Sequence, residues 1–61
     1  MKRRYSIKVL DHNTGFLRYS TITIGEDMTK IVFGYLLDEY PTDTIQVIYK
    51  GFNESEVNPS D

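Results

Sequence analysis

At 61 residues, with no cysteine and a single histidine, the chain has room for one domain but not for a disulfide or a Cys-based or His-rich metal site. A domain this small hides only about 60% of its unfolded surface, so stability must come from a tight core, a second copy or a bound partner. The formal charge of −2 argues against general nucleic-acid binding, where a basic excess is the rule.

Residues 4–10 alternate: Tyr5, Ile7 and Val9 take one phase and Arg4, Ser6 and Lys8 the other, the period of a half-buried strand. Asp11-His12-Asn13-Thr14-Gly15 follows as a turn, because Asp and Asn bond their own backbone and Gly accepts positive φ. A loop of this kind predicts a hairpin. The second strand, residues 16–24, is less regular. Ile22 and Ile24 share a phase that Leu17 and Tyr19 do not, unless a β-bulge near Ser20 brings all four to one side.

Gly25-Glu26-Asp27 opens a helix, with Asp27 the expected N-cap and Thr29 its competitor. Acidic residues there suit the positive helix end. The helix runs through Met28–Tyr40 and stops before Pro41, since the residue preceding proline avoids the α region. Interior Gly34 costs about 1 kcal/mol relative to Ala. After Thr42-Asp43, residues 44–50 form a third strand with Ile45, Val47 and Tyr49 on one face and Gln46, Ile48 and Lys50 on the other.

The fold class is therefore α+β: strand-strand-helix-strand, a three-stranded sheet with one helix packed on one face. Residues 1–52 make the single domain and residues 53–61 a disordered acidic tail. Strand three lies parallel beside strand two or, if it skips over, beside strand one. The expected core is Tyr5, Ile7, Val9, Ile22, Ile24, Ile45, Val47 and Tyr49 against Met28, Val32, Leu36 and either Tyr35 or Phe33.

Little here points to catalysis. His12 beside Asp11 reads as a solvated turn residue, with no Cys and no locally tied Ser to activate. The four glycines are isolated, so no phosphate loop exists. Glu26-Asp27 and Asp38-Glu39 sit at opposite ends of one helix, roughly 15 Å apart, too far for one acid/base or metal site. We expect no enzyme activity and no cofactor. Met1-Lys2-Arg3-Arg4 has the charge of a secretory leader but no apolar stretch follows, and no run is long enough to span a membrane. The expected compartment is the cytoplasm.

The helix carries more apolar surface than one sheet can cover. At about 100° per residue, Met28, Ile31, Val32, Tyr35 and Leu36 cluster on one side, while Phe33, Leu37 and Tyr40 fall on a neighbouring arc. Lys30, Gly34 and Asp38 are left as the polar strip. The excess points to a second surface, covered by another copy or by a different protein. Its candidate residues are Phe33, Tyr35, Leu37, Asp38, Glu39 and Tyr40. The carboxylates of Asp38, Glu39 and Asp43 beside that patch suit a basic partner, such as a DNA-handling enzyme. A competing surface is the basic edge Lys2, Arg3, Arg4, Lys8 and Lys50, which could contact phosphates or simply discourage edge pairing.

Taken from Tyr5 to Lys50, with Asp11–Gly15 as the hairpin turn and Asp43-Thr44-Ile45-Gln46-Val47 opening the last strand, the layout resembles small phage proteins that inhibit uracil-DNA glycosylase. The resemblance is one of order and spacing; no motif is shared strictly. It implies an acidic dimer presenting a helix and an apolar pocket to a host nucleic-acid-handling enzyme, in the host cytoplasm. The longer helix, the milder acidity and the basic N-terminus depart from that pattern. The expectation is a non-enzymatic inhibitor or modulator of a host protein, homodimeric, docking through its helix. A nucleic-acid-binding protein and a structural subunit of a larger assembly are the alternatives.

Overall fold

The computed structural model describes residues 2–52; the tail expected at 53–61 lies outside them. Four elements follow in order: β1 (Arg3–Leu10), β2 (Leu17–Ile24), α1 (Glu26–Glu39) and β3 (Thr44–Phe52). This is the α+β layout expected from the pattern. The three strands form one open antiparallel sheet in the order β2-β1-β3. β3 therefore skips past β2 to pair with β1, and α1 bridges the two edge strands.

The hairpin turn is built as its residues dictate. The Asp11 carboxylate accepts the amide N–H of Asn13 at 2.8 Å and of Thr14 at 3.0 Å. Gly15 sits at φ 78°, and its N–H donates to the Asp11 carbonyl at 2.7 Å. The register then fixes both faces of the sheet, because directly opposed residues share a side. Toward the helix lie the rows Thr23–Tyr5–Tyr49, Thr21–Ile7–Val47 and Tyr19–Val9–Ile45. On the other side lie Ile22–Ser6–Ile48, Ser20–Lys8–Gln46 and Leu17–Leu10–Thr44, with Ile24 opposite Arg4.

Two expectations fall with this register. Ile22 and Ile24 are not core; Thr21 and Thr23 take the helix side instead. The bulge responsible lies at Arg18, which is skipped between the pairs Val9–Tyr19 and Leu10–Leu17, and not near Ser20. That shift keeps Tyr19 with Val9 and sends the β2 isoleucines outward.

The helix is seated by hydroxyls as much as by apolar side chains. Gly25, at φ 90° and ψ 151°, is the N-cap position and gives no side-chain cap, so Asp27 does not cap the helix. Thr29 Oγ1 donates to the Gly25 carbonyl at 2.8 Å and lies 2.6 Å from Thr23 Oγ1. With its one proton committed to Gly25, Thr29 must accept from Thr23. Both threonines are buried. Leu36 closes on Ile7 and Val9 as the fully buried centre, with Val32, Tyr40 and Ile45 packed around it. Met28, expected in the core, is exposed.

This hydroxyl pair gives a testable asymmetry. Thr29→Val leaves the buried Thr23 donor unmatched and should cost about 1–3 kcal/mol. Thr23→Val removes only an optional donor and should cost less. The double Val variant, with both hydroxyls gone, should sit closer to the native protein than Thr29→Val alone. Urea midpoints of the four proteins check this; additive losses would contradict the pairing.

Candidate functional site

Helical periodicity divides α1 into a packed arc and an open one. Thr29, Val32, Leu36 and Tyr40 lie on the inward arc, together with half-buried Phe33. On the outward side Met28, Ile31 and Tyr35 are spaced three and four residues apart and are 51%, 68% and 61% exposed. That spacing makes one stripe along the axis. Asp27 and Asp38 border it on one side and Glu39 on the other, all three exposed. At the N-terminal end of the helix, Met28 and Ile31 line a groove with Ile24, Phe52 and the stem of Lys2.

The six residues proposed for partner binding are thus split. Tyr35, Asp38 and Glu39 belong to the outward stripe and its border. Leu37 is exposed on a different flank. Phe33 and Tyr40 turn inward, Tyr40 onto the core. Met28 and Ile31 replace them. Sequence reasoning placed these two on the core side because it counted apolar residues only, and did not allow Thr29 to hold the interior position.

The basic candidates are dispersed as well. Arg3 turns toward the helix, where its guanidinium meets the Glu26 carboxylate at 2.6 Å. The hydrogen bond first and the charge second bind the Arg3 proton more tightly than usual. Both partners are half-exposed, so the pair contributes little to stability. Arg4 and Lys8 stand on the open face of the sheet, on either side of Ser6. Lys50 lies beside Gly51, where the β1–β3 register shifts and φ reaches 92°.

At the opposite end of the molecule, four side chains tie the hairpin to the loop before β3. Arg18 reaches Asp43 at 3.2 Å and Asp11 at 3.6 Å, and lies 5.5 Å from the centre of the Tyr40 ring. The side chain of Asp43 is almost wholly covered, and its carboxylate also accepts the His12 amide N–H at 3.4 Å. The bulge that turns Ile22 outward is what delivers Arg18 to this cluster. Among the described residues no group of three or more His, Cys, Asp or Glu side chains could hold a metal ion.

The amides of Thr14 and Asn13 hold the Asp11 carboxyl below its ordinary range, against the opposing effect of burial. A lowered folded-state pKa contributes stability above the unfolded value of about 3.9, lost as pH falls through the folded one. Asp11→Ala should therefore lower the thermal midpoint at neutral pH, and the gap to the native protein should narrow below about pH 4. Melting curves across that range test it. A gap that stays constant into strong acid would mean that the charge plays no part.

No helix of the described residues is long and apolar enough to cross a membrane. No protein-family model, curated protein or solved structure matches the chain.

Proposed function

We propose that this chain is a small non-enzymatic protein-binding module, an inhibitor or modulator of a host protein, that docks through the outward face of α1. The observation that carries the reading is the Met28–Ile31–Tyr35 stripe, apolar and exposed along the helix, with Asp27, Asp38 and Glu39 beside it. Amphipathic helices of this spacing recognise grooves by such anchors. An aromatic at the centre of the stripe is the residue type that dominates binding energy. The carboxylate border favours a partner with a basic rim, such as a nucleic-acid-handling enzyme.

The nucleic-acid reading is weaker. By register, Tyr5, Tyr19 and Tyr49 all stand on the helix side of the sheet, so the open face that carries Arg4 and Lys8 has no aromatic for base stacking.

The test is to immobilise the native chain, Ile31→Asp/Tyr35→Ser and the control Phe16→Ser, which removes an exposed aromatic far from the helix. A partner retained by the native chain and the control should lose about tenfold or more in affinity for the helix variant, whose circular dichroism should be native. Equal retention by all three would end the reading.

A further inference from the structure

The sheet has a second face, and no element of the described residues packs on it. Leu17, Ile22 and Ile48 are exposed there, with Leu10 half-buried beside them. Ser6 lies between Ile22 and Ile48 in the register and is buried. Among the described residues the face is thus an apolar layer without a second cover. Layered α+β domains bury such a face against another element.

Its charge says which element fits. None of the three strands contains an aspartate or glutamate, and all of them carry basic residues. On the open face these are Arg4 and Lys8, both on the central strand. The outward face of α1 is the opposite: an apolar stripe three residues long, bordered by Asp27, Asp38 and Glu39. An apolar layer with basic side chains at its centre and an apolar stripe with acidic borders are complementary in both respects.

From this complementarity we infer that the open sheet face receives helix α1 of a second copy of this chain. The inference rests on the reading of the outward helix stripe as a docking surface, and adds the surface that accepts it. The contact joins two different patches, so it is heterologous: each copy offers a helix to one neighbour and a sheet face to another. Copies add head to tail, and each sheet becomes the middle layer between its own helix and a neighbour's. Salt weakens the contact by screening the Arg4 and Lys8 contribution, and leaves its apolar part.

A complementation experiment tests this. One variant, Arg4→Glu/Lys8→Glu, blocks the sheet face and keeps the helix. The other, Ile31→Asp/Tyr35→Ser, blocks the helix stripe and keeps the sheet. By light scattering across a dilution series the native chain should self-associate, and each variant alone should do so about tenfold or more weakly. Their equimolar mixture should form a capped dimer near twice 7.1 kDa. Should Arg4→Glu/Lys8→Glu lose its native circular dichroism, Leu17→Glu, at an exposed corner of the same face, takes its place.

Three outcomes overturn the inference. If the sheet variant alone still associates, copies meet helix to helix, and the helix remains a docking surface. If the helix variant alone still associates, copies meet sheet to sheet. If the native chain is monomeric at every concentration, there is no self-contact, and docking of α1 on a different protein stands or falls by its own test. In that last case, salt-sensitive retention of an oligonucleotide, lost in Arg4→Glu/Lys8→Glu, would give the basic face to nucleic acid instead.

Discussion

Replacing Leu36 by alanine should nearly unfold this protein, while the same change at the adjacent Tyr35 should leave its stability almost untouched. Leu36 is 1% exposed and closes the small cluster with Ile7 and Val9. A buried Leu→Ala change costs about 2–5 kcal/mol through lost transfer energy and the cavity left behind. A chain of this length has on the order of 3–9 kcal/mol of stability in total. With so few fully buried side chains, the site has little around it that can collapse into the space. Tyr35, 61% exposed, should change stability by no more than about 0.5 kcal/mol. Urea unfolding followed by circular dichroism separates the two. Comparable losses at both positions would mean that the helix is rotated about its axis relative to the arrangement described here.

The second large contrast is between two glycines, one at the start of the helix and one inside it. Gly25 holds φ 90° and ψ 151°, a region that side-chain-bearing residues hardly enter. Its conformation turns the chain from β2 into α1 and presents its carbonyl to Thr29 Oγ1 and to the Thr29 amide. Gly25→Ala should cost about 1–3 kcal/mol or more, from backbone strain and from the helix start that it disturbs. Gly34 has ordinary helical geometry, and a Cβ there would meet nothing within 4 Å. Gly34→Ala should gain about 1 kcal/mol by helix propensity. Thermal midpoints moving in opposite directions are the expected outcome. A loss at Gly34→Ala in a sample that self-associates would instead place a neighbouring copy against that side of the helix.

Much of the fold was written in local pattern. The alternation of Tyr5, Ile7 and Val9 against Arg4, Ser6 and Lys8 names the first strand and its helix-facing side, but not its central place in the sheet. Asp11 to Gly15 spells the turn that forms, and Pro41 marks the helix end to within one residue. The second strand was not legible in the same way. Leu17, Tyr19, Ile22 and Ile24 occupy both phases, and the choice between them depends on where one residue is bulged. That choice falls on Arg18, because its side chain has Asp11, Asp43 and the Tyr40 ring to meet, and two of those three are distant in sequence.

The helix failed for a related reason. Counting apolar positions cannot foresee that Thr29 is buried in place of Met28, since the hydroxyl is acceptable there only because Thr23 and the Gly25 carbonyl complete its bonds. The surplus of apolar helix surface was real in the sequence, but its position was off by part of a turn. The segregation of acidic residues into the helix and out of the strands follows from the bounds of the elements. It acquired meaning only once the register divided the sheet into a covered face and an open one.

Hydroxyl-radical footprinting of the dilute chain, read residue by residue by mass spectrometry, examines the exposed helix stripe itself. Met28 and Tyr35 should be modified rapidly and Leu36 and Tyr40 slowly, because the first pair stands open and the second packs on Ile7 and Val9. Rapid modification of Tyr40 with protection of Met28 and Tyr35 in the monomer would place the other arc against the sheet, and the docking surface proposed here would be core.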